Sequence, residues 1–188
     1  MRGPRNEPPP LELRRLVRAL AHHDVTYLIV GGANAFVQGA DHATTDLDVL
    51  PIVEPDNLRR LGAAMIDLNA RLRVGRMSDE EAKLLPVQLA DGGVFRTAQI
   101  TNWRTDAGDL DVMLTMPDRQ GRRHPYEHYA RRAVDGVAEG QRVRLAHLAD
   151  VIASKEHADR PKDHAALPAL RLLLRQQREQ REQREQPG

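Results

Sequence analysis

Asp46 and Asp48, one residue apart in Thr45-Asp46-Leu47-Asp48-Val49, have the type and spacing to act on one atom. On a β-strand, residues two apart point the same way, so both carboxylates aim at one place while Leu47 and Val49 pack behind them. Converging carboxylates repel unless a cation sits between them. Mg²⁺ suits that place, because it takes hard oxygen ligands, often one or two carboxylates together with substrate phosphates. Upstream, the apolar run Tyr27-Leu28-Ile29-Val30 ends on Gly31-Gly32, where a backbone without side chains lets phosphate approach. A lone Asp-x-Asp would more simply be a solvated strand edge. The ordered set of strand, glycine pair, helix-sized spacer and Thr-Asp-x-Asp points instead to phosphate chemistry on a nucleotide.

A further acid belongs to the set. In Asp109-Leu110-Asp111-Val112-Met113-Leu114, the apolar side chains Leu110, Val112 and Leu114 share one face, and Asp109 and Asp111 the other. Thr97 to Trp103 reads as the preceding strand, with the turn at Thr105-Asp106-Ala107-Gly108. Asp111 is thereby delivered to the same sheet, to complete a metal site or to take a proton from an attacking hydroxyl. Asp109, at the start of its strand, is expected to be solvated and tolerant of change. Later, Lys155 falls near the end of one predicted helix, and Pro161 opens the next. An ammonium there can bind a triphosphate as a point charge.

With these residues in view, the chain resembles the nucleotidyltransferase superfold, the DNA polymerase β-like fold, whose pattern is an apolar strand, Gly-Gly or Gly-Ser, Asp-x-Asp and a third acid. More narrowly it resembles small bacterial proteins grouped with the AbiEii-type nucleotidyltransferase toxins. The segments that carry this likeness are Gly39 to Asp48, Asp150-Val151-Ile152-Ala153-Ser154-Lys155 and Arg160-Pro161-Lys162-Asp163, within a match from about Leu16 to Leu173. The resemblance implies metal binding by Asp46, Asp48 and Asp111, with Lys155 beside them in catalysis. It implies nucleotide binding by Gly31, Gly32, Thr45, Lys155, Arg160, Lys162 and Asp163. The implied reaction is Mg²⁺-dependent transfer of NMP from an NTP, ATP among them, to a hydroxyl acceptor. A tRNA acceptor and a cognate antitoxin are the implied partners. His42 stands where that group often has arginine. Two other readings stay open: transfer to a small molecule such as an antibiotic, and a non-catalytic regulatory module that retains the fold. The acceptor and the preferred base are not legible.

The elements that must position these residues define an α/β fold: a small mixed β-sheet with flanking helices and a helical C-terminal part from about residue 145. Leu13, Leu16, Val17 and Leu20 form one stripe of a helix. Ala33 to Gln38 is a short helix ended by Gly39, and Pro55 opens a helix with the stripe Leu58, Leu61, Met65, Leu68 and Leu72. Residues 75–93 mix loops with a possible helix at Asp79 to Leu84, Pro117 to Arg123 is a loop, and Tyr126 to Ala133 is helical. Residues 1–10, rich in proline, are expected to be disordered, 11–175 to form the nucleotidyltransferase domain, and 176–188 to be a polar tail of Arg-Glu-Gln repeats with no apolar face to dock. His124 and His128, and equally His22-His23, lack an evident third ligand and read as ordinary surface histidines.

Composition adds bounds. Hydrophobic content is 40% with two Phe and one Trp in 188 residues, so the core must be aliphatic. The net charge of +1 provides no global attraction to nucleic acid; a local patch would have to come from Arg14, Arg15 and Arg18 or from Arg119 to Arg123. With no cysteine, disulfides and thiolate metal sites are excluded. No run approaches a membrane span or a signal-peptide core, so the expectation is a cytoplasmic protein without membrane partners.

Overall fold

A computed structural model describes residues 9–41, 44–75 and 77–185. His42 and the first eight residues lie outside the described residues, so the expectations placed on them are untouched. The order is α1 (Leu13–His22), β1 (Tyr27–Val30), α2 (Gly31–Val37), β2 (Asp46–Pro51), α3 (Pro55–Asp67), β3 (Arg71–Leu72), α4 (Asp79–Lys83), a 3₁₀ turn (Gly93–Arg96), β4 (Ile100–Thr105), β5 (Gly108–Met113), β6 (Met116–Pro117), β7 (Arg123–His124), α5 (Tyr126–Ala130), β8 (Val134–Ala138), β9 (Gln141–Leu145), α6 (Leu148–Ala158) and α7 (Pro161–Glu185). Among the described residues, seven strands form one sheet in the order β3-β4-β5-β2-β1-β9-β8, and β6-β7 form a small hairpin. Pairing is mixed: β2–β5 and β1–β9 are parallel, the other neighbours antiparallel. The expected α/β class with a mixed sheet is what is found.

Alternation along β2 sorts its side chains. Leu47 and Val49 are fully buried with Leu110 and Val112 under α1 and α3, in a cluster that includes Leu16, Leu20, Leu58, Leu61 and Trp103. The opposite face reads Asp46, Asp48, Leu50. Leu50 packs with Leu28, Val30 and the α5 rings Tyr126 and Tyr129, so this face is closed by an apolar lid at one end and left polar at the other. A third cluster joins α2 to α6 and α7 through Ala35, Leu148, Ile152, Leu167 and Leu170. Burying each aliphatic chain of this size contributes roughly 1.5–3 kcal/mol.

Three local devices hold the frame. Asn34, wholly buried, donates to the carbonyls of Ile29 and Ala146 at 2.8 and 2.9 Å, fixing α2 where β1 and β9 end. Asn57, also buried, accepts from Thr26 N–H at 2.7 Å and donates to the carbonyls of Thr26 and Ile52. Gly39, at φ +100°, ends α2 in a left-handed cap, with Ala40 N–H to Ala35 O at 2.9 Å and Gly39 N–H to Phe36 O at 3.0 Å.

Several expectations need correction. The Pro55 helix stops at Asp67, and Leu72 lies in β3, because Asn69 takes φ +50° and turns the chain onto the sheet edge. The loop expected at 117–123 is flanked by paired strands, Met116 opposite His124 and Pro117 opposite Arg123. The hairpin β8–β9 was not anticipated. Leu145 ends β9 rather than opening a helix, which starts at Leu148. The Arg-Glu-Gln tail, whose residues favour helix, runs on from α7 as the expected helical extension through Glu185, with Gln177 donating to Gln38 at 3.3 Å.

Candidate active site

The sheet register brings the acids together. Parallel pairing of β2 with β5 sets Asp46 opposite Asp109 and Asp48 opposite Asp111, while β1 ends with Val30 opposite Asp48. Carboxylate oxygens of Asp46, Asp48 and Asp111 all lie within 4.8 Å of one another. They open onto a cavity of about 360 Å³ that is also lined by Gly31, Gly32, Thr45, Lys155, Arg160 and Lys162. One wall is therefore anionic and sheet-borne, the other cationic and carried by α6, α7 and the link between them.

Gly31 explains how the backbone comes so close. It sits at φ +61°, and a Cβ there would lie 1.8 Å from Asp48 Oδ2. A Cβ at Gly32 would instead meet Thr44 Oγ1 at 2.8 Å. Thr44 itself donates to Asp46 O at 2.9 Å, and its hydroxyl is 3.3 Å from Asp46 Oδ1, so it orients the first acid.

Charge crowding has a measurable consequence. Burial, then Asp46 and Asp111, push Asp48 up to about 7 against the opposing pull of Lys155 and Lys162. Burial also raises Asp111, with Asp46 and Asp109 adding to it and a hydrogen bond from Asn102 together with Arg73 opposing. Hard oxygen donors converging on a polar cavity, with Asp48 and Asp111 both disfavoured as anions, fit a divalent cation such as Mg²⁺.

Asp163 sits differently from its expected place. It is wholly buried and does not line the cavity; Lys155 Nζ reaches its Oδ1 at 2.9 Å and Arg160 Nε its Oδ2 at 2.7 Å. Burial would raise its pKa, but these two cations outweigh that and hold the carboxyl below its ordinary range. Asp163 thus anchors Lys155 and Arg160 from behind. Asp109 is the clearer correction: it is buried, not solvated, with Arg104 Nε at 2.9 Å and Arg73 Nη1 at 2.8 Å.

The sequence assigned no site role to Thr44 or Ser154, though both lie in the segments that carry the resemblance, nor to Asn102 and the apolar lining of Ile100, Met113, Met116 and Val151. Asn102 was within reach, because a tight β4–β5 turn forces it opposite Asp111. The apolar lining comes from several elements and leaves no local signature.

No protein-family model matches the chain, and no curated protein matches it in sequence. Solved structures do match in fold. Lincosamide antibiotic adenylyltransferase LnuA in its lincomycin-bound form aligns over 86% of this chain and 96% of its own, with TM-score 0.56 and 14% identity. ANT(2")-Ia in complex with adenylyl-2"-tobramycin covers 86% of this chain and 84% of its own, TM-score 0.52, 15% identity. The solution structure of ANT(2'')-Ia covers 92% of each chain, TM-score 0.51, 14% identity. This chain shares the fold of these proteins, a nucleotidyltransferase fold.

Proposed function

We propose that this chain is a metal-dependent nucleotidyltransferase that moves NMP from an NTP to a hydroxyl acceptor. The observation that carries the reading is the convergence of Asp46, Asp48 and Asp111 across one cavity from Lys155, Arg160 and Lys162. Asp46, Asp48 and Asp111 would hold Mg²⁺, which would supply Lewis-acid polarisation and neutralise developing charge on the phosphates. Lys155, preset by Asp163, and Arg160 and Lys162 bind the phosphates, and Gly31 and Gly32 keep side chains out of their path. Asp111, raised towards neutrality, is placed either as ligand or as the group that takes the acceptor proton.

Two acceptor readings each have an observation behind them. The antibiotic-modifying neighbours favour a small molecule, although fold alone does not fix substrate. A phosphate-bearing acceptor such as tRNA is favoured by a groove of about 740 Å³ in which Arg14, Arg15 and Arg18 outnumber Glu12 and Glu139, with Phe36 and Thr44 beside them; a toxin restrained by an antitoxin rests on the sequence resemblance alone. Thr44 borders both this groove and the acid cavity. Labelled NTPs incubated with Mg²⁺ and purified tRNA, total RNA or a small-molecule extract test the choice. Label should appear in one fraction and vanish with Asp48→Ala. Absence of both transfer and Mg²⁺-dependent NTP binding returns the chain to the non-catalytic reading.

A further inference from the structure

His22 and His23, adjacent at the end of α1, acquire a third potential ligand that lies far away in sequence. Asp67 ends α3, and the two helices finish side by side. His23 Nε2 is 2.6 Å from Asp67 Oδ2, and the His22 ring packs edge-on to His23 with centroids 5.0 Å apart. One ligand atom from each of the three residues falls within 4.8 Å of the others. Tetrahedral zinc, with bonds of about 2.0–2.2 Å, wants its ligand atoms roughly 3.4 Å apart, within reach of small side-chain rotations.

We propose that His22, His23 and Asp67 form a second metal site, selective for a borderline transition ion such as Zn²⁺. Two imidazoles and one carboxylate suit zinc, nickel or copper, whereas the all-carboxylate set of Asp46, Asp48 and Asp111 suits Mg²⁺. The surroundings agree, since both helices present their C-terminal ends, where the backbone favours a cation. His22 and Asp67 are exposed, so an ion can enter without unfolding the chain, and water can complete its shell. The ion links α1 to α3, the two helices covering the main core, and acts there as a staple. The site shares no residue with the acid cavity and does not depend on the reaction proposed for it.

The test uses the full chain in excess Mg²⁺, to compete with zinc at the acid cavity, with ZnCl₂ as probe. Equilibrium dialysis and thermal melts compare wild type with His22→Ala, His23→Ala and Asp67→Asn, after circular dichroism of each metal-free variant. Zinc should raise the wild-type melting temperature, and each substitution should weaken zinc affinity by on the order of tenfold or more, since even outer-shell partners typically carry that much. His22→Ala is the decisive variant, because it removes a ligand while leaving the His23–Asp67 contact in place. Zinc affinity and zinc-induced stabilisation unchanged in His22→Ala and Asp67→Asn would overturn the proposal. So would loss of zinc only on replacing His124 or His128.

Discussion

Asp48 is where the folded chain works against itself. Its carboxyl is easier to protonate in the folded state than in the unfolded one, so without metal its contribution is fully present at low pH. Stability then falls as pH rises from the ordinary 3.8 to about 7, and Asp111 shifts in the same direction. The metal-free melting temperature should therefore fall between pH 5 and pH 8, by ~2–4 °C for each kcal/mol lost in a chain of this size. Asp48→Asn should flatten that slope and melt higher at pH 8 while abolishing transfer; melting curves with and without Mg²⁺ check both. A steeper slope in Asp48→Asn would refute the charge-crowding account. Gly31→Ala should cost activity far more than Gly32→Ala. The first places a methyl inside Asp48 at a positive φ, and the second meets only the end of a threonine side chain. Single-turnover transfer rates of the two variants decide it. Asp109→Ala should destabilise by on the order of 3 kcal/mol in urea, because it strips the buried Arg104 of the carboxylate that lies 2.9 Å from its Nε. That last expectation reverses what strand position alone suggested. The alternation placed Asp46, Asp48 and Asp111 on their faces correctly, but nothing near Asp109 announced the guanidiniums of Arg73 and Arg104. Such pairings depend on where separate strands meet, and a local pattern does not encode that.

Elements differ in how openly the chain declares them. Helices α1 and α3 follow from their apolar stripes, and α2 from the glycine that ends it. Hairpin β8–β9 was missed although Glu139-Gly140 has the turn form, with φ +49° and +83°. The alternation Arg142-Val143-Arg144-Leu145 was legible too: Val143 and Leu145 join the main core with Ala138, the two arginines face out, and β9 pairs with β1. The C-terminal helix tests the opposite case. Beyond Gln177 its described side chains are exposed and no apolar residue remains to pack. Removing residues 178–188 should shift the melting temperature by no more than about 2 °C, the effect of well under 1 kcal/mol, and leave transfer unchanged. A larger loss in a melt of the truncated chain would mean that the helix end is anchored through Gln177 and its neighbours more firmly than one amide contact allows.

At the scale of the molecule, the cavity is a seam between a sheet that carries the negative charge and a helical segment that carries the positive. Asp163 holds that segment in shape, since α6 contributes Lys155, the link contributes Arg160, and α7 contributes the buried carboxylate joining them. Asp163→Asn should therefore do two things. It should destabilise the chain by on the order of 3 kcal/mol, as loss of one partner from a buried pair does. It should also weaken NTP binding at a temperature where the variant is still folded, by up to the ~1.5–3 kcal/mol of a charge-assisted contact. Calorimetry with a non-hydrolysable NTP reads the second effect, and unchanged affinity in a folded Asp163→Asn would separate Lys155 from the phosphates. Sequence reasoning located this helical segment and its cations. That Asp163 faces inward was hidden, because burial of a first-turn carboxylate depends on how α7 packs against α6.

The parallel register of β2 with β5 also limits how this chain can change over generations. The crossover between the two strands, residues 52–107, can lengthen or shorten in its loops without moving Asp111 relative to Asp48. Inside β5, upstream of Asp111, parity matters. An insertion of a single residue there would turn Asp111 into the aliphatic layer and bring Leu110 or Val112 towards the cavity, whereas a double insertion would restore the face. Lineages of this fold should accumulate length variation in the crossover and almost none in the stretch from Gly108 to Asp111. Libraries that randomise length can use the same division, leaving that short run fixed and placing diversity in the exposed loops of the crossover, away from the buried Phe95.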